Sequence, residues 1–385
     1  MNSSKSNRKI RLAKPDFFYF YMWTLSLLVL FTGCTDNHKK EKSPANKIQG
    51  IQATNSNFSE IENLDYIENS IFRLKVSDNG NIVYVDDKKW KVFLIDKMGF
   101  VLDSIGGRGR GPGEFALING IRLYEHSNTI QIFDKGLQRV SYFDLKKADK
   151  ISLTRVINLP NFKEQLYLQD LYVHKQQNFG VFKKYDISEN SSFRNIVVYL
   201  LNDSLEISKK LIDFDGDELI ELKNKRFIEN PIGYSVHWAF EDSLLYISNS
   251  QTSEIVTYNL DNFYSEKLQF DSLKRINSNS SVVNYFLTEF TCLSEDKEIL
   301  HNLKTREFFP AYYDLKAEGS NLYFLAFNYD SKNQEILKID LKRRKVKRIS
   351  SLNIFDIQDI EGGIIYGIYR DDEIGRKTIR YKDGE

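Results

Sequence analysis

Cysteine is nearly absent from this chain, with Cys34 and Cys292 the only two in 385 residues. With Cys34 at the exit of an apolar leader, Cys292 is left alone, which excludes a disulfide framework and a cysteine-rich metal centre. Charge of one sign is lacking too: 54 Lys and Arg face 53 Asp and Glu, a net +1. That balance gives no global field to gather nucleic acid, so no nucleic-acid partner is expected. The apolar run from Phe17 to Phe31 is uncharged but shorter than the roughly 20 residues of a comfortable membrane span. Nucleophile and zinc-helix signatures are missing as well: the chain has no Gly-x-Ser-x-Gly, no His-Glu-x-x-His and no Cys-x-x-Cys.

What the N-terminal segment does contain is an export signal. Lys5, Arg8, Lys9, Arg11 and Lys14 form a positive region ahead of the apolar run, which suits a secretory leader. The run ends in Phe31-Thr32-Gly33-Cys34, which resembles the lipobox of bacterial lipoproteins, with Phe31 in the place of the usual Leu. The resemblance implies that residues 1–33 are removed and that Cys34 is lipidated. The alternative is an ordinary cleaved signal or an uncleaved anchor with Cys34 incidental. Residues 34–57 are polar and poor in aromatics, and read as a flexible tether to a folded domain over 58–385.

That domain is built from a repeat. Asn81-Ile-Val-Tyr-Val-Asp-Asp-Lys-Lys-Trp-Lys-Val-Phe-Leu-Ile-Asp96 is echoed by Thr129-Ile-Gln-Ile-Phe-Asp-Lys-Gly-Leu-Gln-Arg-Val-Ser-Tyr-Phe-Asp144, and more loosely from Ser243 and Asn321. All-β self-similarity with a period of roughly 40–50 residues is what a radial array of four-stranded blades produces. Six inner strands are legible, starting near Ile71, Gly120, Asp170, Ser235, Tyr313 and Phe355. The expected fold is a six-bladed β-propeller of antiparallel blades. Most of the 27 Phe and 22 Tyr are then interblade packing. The last unit stops before an outermost strand, and an open blade leaves an unpaired edge, so a strand within about 47–67 is expected to complete it. Residues 272–310 break the rhythm. Ser294 at a cap position, acids in the first turn and Ile299, Leu300 and Leu303 on one face indicate a helical insertion between blades four and five.

The sharpest local motif is Ile105-Gly-Gly-Arg-Gly-Arg-Gly-Pro-Gly-Glu-Phe115, followed by Asn119-Gly-Ile. It resembles the interblade segment of NHL-repeat-like propellers, and in its Gly-x-Gly-Pro-Gly-Glu-Phe form the six-bladed β-propeller lipoproteins of Bacteroidota. The resemblance runs from about residue 48 to the end and is densest over 71–145; only the first interblade junction carries the full glycine motif. It implies an envelope protein held at the outer membrane, on its periplasmic or cell-surface side. Physically, five glycines in eight positions permit positive φ and close backbone approach. Pro112 and the Glu-Phe leading into a strand argue against a phosphate loop. A structural crossover is expected, with Arg108, Arg110 and Glu114 at the channel mouth as the candidate ligand-binding loop.

Some NHL-like propellers are zinc-dependent lyases, so the histidines are candidate ligands. His174 and His237 fall on the inner strands of consecutive blades, a pair that would share an axial metal, while His126 falls in a turn and no third inner-strand histidine exists. Asp213-Phe-Asp-Gly-Asp-Glu218 does not fit calcium-loop spacing and reads as an acidic turn. Lys342-Arg-Arg-Lys-Val-Lys-Arg348 spans a hairpin, either a solvated turn or a contact for anionic lipid. Asp-Ser-apolar recurs at Ser104, Ser204, Ser243 and Ser272; it is similar to an O-glycosylation sequon of Bacteroidota exported proteins and is also good turn chemistry. The reading that follows is a lipid-anchored binding or interaction scaffold without cofactor, having a protein or glycan partner in the envelope, with glycan capture as one form. The rival is a metal-dependent lyase or hydrolase with its site on the propeller axis.

Overall fold

The computed structural model describes residues 53–54, 58–60 and 71–382, except 125–126, 147–148, 163–165, 185–192, 223–226, 274, 290–296, 327–334, 351–353 and 372–374. Cys34, the leader, most of the tether, His126 and Cys292 lie outside these residues.

Two short N-terminal strands, β1 (Ala53–Thr54) and β2 (Phe58–Glu60), precede the repeat. Blade one is β3 (Ile71–Val76), β4 (Ile82–Asp86), β5 (Lys91–Ile95) and β6 (Val101–Gly106); blade two is β7 (Ile118–Tyr124), β8 (Thr129–Asp134), β9 (Arg139–Lys146) and β10 (Lys150–Asn158). Blade three has β11 (Leu166–His174), β12 (Gln177–Lys184), β13 (Phe193–Leu201), the long β14 (Ile207–Glu221) and an extra β15 (Phe227–Glu229). Blade four is β16 (Val236–Glu241), β17 (Leu244–Asn249), β18 (Glu254–Asn259) and β19 (Ser265–Gln269). The insertion follows, with β20 (Ile276–Asn277), α1 (Ser280–Glu289), α2 (Lys297–Thr305) and β21 (Phe308–Phe309). Blade five is β22 (Tyr312–Glu318), β23 (Asn321–Ala326), β24 (Glu335–Asp340) and β25 (Lys345–Ser350); blade six is β26 (Ile354–Glu361), β27 (Ile364–Asp371) and β28 (Gly375–Lys382).

Each blade is an antiparallel meander whose first strand begins within four residues of one of the six positions read from the sequence. The second strand lies between two neighbouring sheets and is buried on both faces, which explains continuous apolar runs such as Ile82-Val-Tyr-Val and Asn321-Leu-Tyr-Phe-Leu-Ala. Outermost strands such as β19 are mostly exposed. One apolar cluster fills each gap around the ring. Val83, Val92 and Leu94 of blade one meet Ile121, Ile132 and Phe143 of blade two, and Leu74 and Tyr84 meet Tyr366 of blade six.

The ring is closed as expected. β2 pairs antiparallel with β28, Phe58 opposite Tyr381 and Glu60 opposite Ile379, supplying the fourth strand of blade six. β1 adds parallel to β25, Ala53 opposite Arg348. Among its described residues the insertion holds two α-helices. α2 matches the stretch read from the sequence, whereas α1 was not read. Five inner strands share a further device, a register shift just before Arg73, Gly120, Asp170, Asp314 and Asp356. Such bulges re-aim side chains beside functional surfaces and barrel-like rims.

Strand alternation gives the ring two distinct ends. Turns between first and second strands, and between third and fourth, share one end, here called the hairpin end. Turns between second and third strands share the other with the interblade crossings and the insertion; this is the crossing end.

Candidate functional site

Charged groups near the axis are tied in pairs across blades. The Arg122 guanidinium of blade two meets Asp170 of blade three at 2.8 Å, and Trp238 Nε1 of blade four donates to the same carboxylate at 3.1 Å. Burial would lower the Arg122 pKa, but Asp170 outweighs it and holds the guanidinium charged. Lys75 of blade one bonds Asp359 of blade six at 2.5 Å, and the Val76 amide donates to that carboxylate at 2.7 Å. These bonds bridge blades and leave the inner wall structurally committed.

A second charged cluster lies at the crossing end of blade three. Lys183 bonds Asp217 at 2.5 Å and Glu229 at 2.9 Å, and Arg194 reaches Glu229 at 2.6 Å. This corrects the acidic-turn reading of Asp213–Glu218. The segment belongs to β14; Asp217 and Glu218 turn to the buried cations Lys183 and Arg306, while Asp213 and Asp215 stay exposed. Gly216 permits it, since a Cβ there would lie 1.7 Å from the Arg194 carbonyl oxygen.

The neighbouring Glu218 clamps the insertion. Arg306 grips it with both terminal nitrogens at 2.6 and 2.5 Å, stacks 4.5 Å over the Tyr234 ring and donates Nε to the Phe308 carbonyl. Burial pushes the Glu218 pKa up, yet the Arg306 contact prevails and lowers it. Asn230 joins the clamp, donating to Glu218 at 2.8 Å and to Asn302 at 3.1 Å. Beneath, Val282 and Phe286 of α1 pack with Ile299 and Leu303 of α2 against Phe309. The clamp frames an open cleft of about 440 Å³ lined by Phe193, Glu218, Leu219, Tyr234, Arg306, Glu307 and Phe308. Aromatic faces beside a fixed carboxylate and guanidinium suit a partly polar ligand. Neither Tyr234 nor Arg306 stands out in the sequence, because 72 residues separate them.

The residues singled out from the sequence fall elsewhere. The glycine run is a built interblade crossover. Phe115 is fully buried against Phe143, and the Arg139 guanidinium donates to the Arg110, Gly111 and Glu114 carbonyls. Glu114 accepts the Gly111 amide at 2.7 Å, and Arg108 stacks 4.9 Å from the Trp90 ring. Arg108, Arg110 and Glu114 are exposed at the crossing end, on a different junction from the cleft.

His174 and His237 are not brought together. His174 is the last residue of its inner strand, at the hairpin end, and its Nε2 is 2.9 Å from Asp261. His237 lies near the start of its strand, at the crossing end, beside the Tyr312 ring. Its Nε2 is buried with no hydrogen-bond partner among the described residues, and burial lowers its pKa to about 4. Among the described residues no group of three or more His, Cys, Asp or Glu side chains is disposed to hold a metal ion. Ser204 is exposed, Ser104 and Ser243 are half-buried, and the Ser272 hydroxyl is buried, so a glycan on Ser272 requires that turn to open.

Comparison with known proteins places these features in context. The six-bladed β-propeller family DUF5128 matches residues 58–362. Two solved structures share the fold at low identity. A putative exported protein from Bacteroides fragilis is 13% identical, with a TM-score of 0.53, over 85% of this chain and 94% of that one. A DUF4221 family member from Bacteroides vulgatus is 11% identical, with a TM-score of 0.53, over 86% of this chain and 97% of that one. No curated protein matches the chain.

Proposed function

The chain belongs to the DUF5128 family of six-bladed β-propellers, and from that premise we propose that it is a lipid-anchored binding module of the cell envelope. Its ligand or partner face is the cleft beneath the helical insertion. The observation that carries this reading is the Arg306–Glu218 clamp, which fixes the insertion on the ring and holds an open, aromatic-lined cleft around it. The conspicuous charges of the inner wall are engaged in interblade bonds that a catalytic role would have to break. A rigid ring presenting a variable connection is a common way to build a recognition surface. The leader, with Cys34 at its exit, supports export and anchoring. The similar fold of a Bacteroides fragilis protein described as a putative exported protein agrees with that location.

The partner is a protein or glycan of the envelope. A photo-crosslinking residue replacing Glu307 in the cleft, in living cells, is expected to yield discrete adducts. The same residue replacing Tyr264, exposed on a hairpin-end turn, is expected to yield none of them. Equal patterns from both positions, or none from Glu307, would overturn the assignment of the face.

A further inference from the structure

We infer that the hairpin-end rim spanning blades five, six and one docks on the anionic lipid surface that carries the anchor, leaving the insertion cleft directed away from the bilayer. This rests on the anchoring proposed above, and three observations on separate elements support it.

The β24–β25 turn carries Lys342, Arg343, Arg344 and Lys345, all exposed. Asp340, beside the turn, reaches Arg343 at 3.5 Å, and the hairpin's other acid, Glu335, is paired with Arg348 at its far end. On the adjoining side of blade six, the β5–β6 turn presents Met98 at 51% exposure and Phe100 at 61%, followed by Val101 and Leu102 at 45% and 39%. Four of the seven large hydrophobic side chains left exposed among the described residues therefore fall within five consecutive positions. Basic residues on one side of blade six and protruding apolar ones on the other give this rim the composition of a membrane-surface contact.

The path of the chain supplies the third observation. β1 runs parallel to β25 with Ala53 opposite Arg348, so its N-terminal end faces the basic turn. Ala53 lies nineteen positions after Cys34. As a coil such a segment spans about 25 Å, and fully extended it reaches no more than about 65 Å. Lipid on Cys34 thus has its shorter path to this rim, because the chain enters β1 from the hairpin end.

The rest of the hairpin end sets the tilt. Near the axis it carries Asp78, Glu241, Glu318 and Glu361, and the blade-three turn adds Asp203 and Glu206. An anionic surface repels these groups, so contact is confined to the basic and apolar arc and the ring leans on that edge.

Hydrogen exchange of the full chain in vesicles of phosphatidylglycerol or phosphatidylcholine tests the inference. Residues 97–102 and 341–345 are expected to exchange at least about fivefold more slowly on the anionic vesicles. Lys342→Glu/Arg343→Glu/Arg344→Glu is expected to abolish the difference at both turns, and Met98→Ser/Phe100→Ser to weaken it. All five positions are exposed, so the fold tolerates these changes. Equal exchange in the two lipids, or a difference that survives the triple change, would overturn the docking. Intact mass of the same sample reports the lipid on Cys34 independently. A chain without lipid that still shows the difference refutes the anchor and supports the docking; a lipidated chain without it does the reverse.

Discussion

At the residue scale, stability rests on a few polar groups buried among apolar blades. Arg139 is the clearest, being 6% exposed and satisfying three carbonyls of the glycine crossover. Arg139→Ala is expected to cost about 2–4 kcal/mol in denaturant unfolding, because those carbonyls lose their donor in a closed setting. Gly106 has φ +116°, and a Cβ there would approach the Trp90 carbonyl oxygen at 2.6 Å; Gly106→Ala is expected to cost about 2 kcal/mol or more. The sequence announced this crossover because glycine spacing is local. It could not announce Arg139, whose role depends on a fold that returns it 25–29 residues later. Two titrating groups pull stability in opposite directions. His237, with its pKa lowered by burial to about 4, favours the fold fully above pH 6.5, and that support is lost as pH falls through 4. Glu361, raised by burial and then by Asp78 to about 7, favours the fold below pH 4.5, and that support fades as pH rises through 7. Unfolding midpoints of His237→Gln should therefore fall less than wild type between pH 7 and 4. Those of Glu361→Gln should fall less between pH 5 and 8. Parallel pH profiles for variant and wild type would contradict these assignments.

At the element scale, the closing strand is the most consequential short segment. β2 contributes three residues, yet it covers the edge of β28 that blade six otherwise leaves open. Deleting residues 35–50 should leave the melting temperature nearly unchanged. Extending the deletion through residue 60 should lower stability by several kcal/mol or prevent folding. A chain lacking 35–60 that melts like wild type would refute closure. The inner strands were legible because each places apolar and polar residues alternately beside a turn. α1 was not, because Val282, Val283, Tyr285 and Phe286 are residues that suit strands. Its helical signal was the Asn279 side chain accepting the Val282 amide, and Val282 and Phe286 four positions apart on the buried face. The Asp213–Glu218 segment was misread for a related reason. A run of acids around a glycine has turn chemistry; pairing with β13 makes it a strand, and Lys183 and Arg306, brought in from other elements, take up Asp217 and Glu218.

At the scale of the whole molecule, the ring has two unlike ends. The crossing end holds the buried Lys183–Asp217–Glu229 cluster, the clamp and the cleft, whereas the hairpin end holds acidic turns near the axis and a basic and apolar arc at the rim. The architecture was readable because a repeat states itself several times. The cleft was not, since Phe193, Glu218, Tyr234 and Arg306 come from blade three, the crossing to blade four and the insertion, and share no spacing. The central claim is that this propeller binds rather than catalyses, and metal content separates the two most directly. His174 is held by Asp261 at one end of its strand and His237 is sealed beside Tyr312 near the other end of its own. Two histidines placed so do not converge as metal ligands. Elemental analysis of the purified chain, with His174→Gln/His237→Gln as its control, is therefore expected to find no stoichiometric transition metal, and crosslinking from the cleft should persist in the control. About one zinc per chain in the wild type, lost in the double variant, would contradict the account.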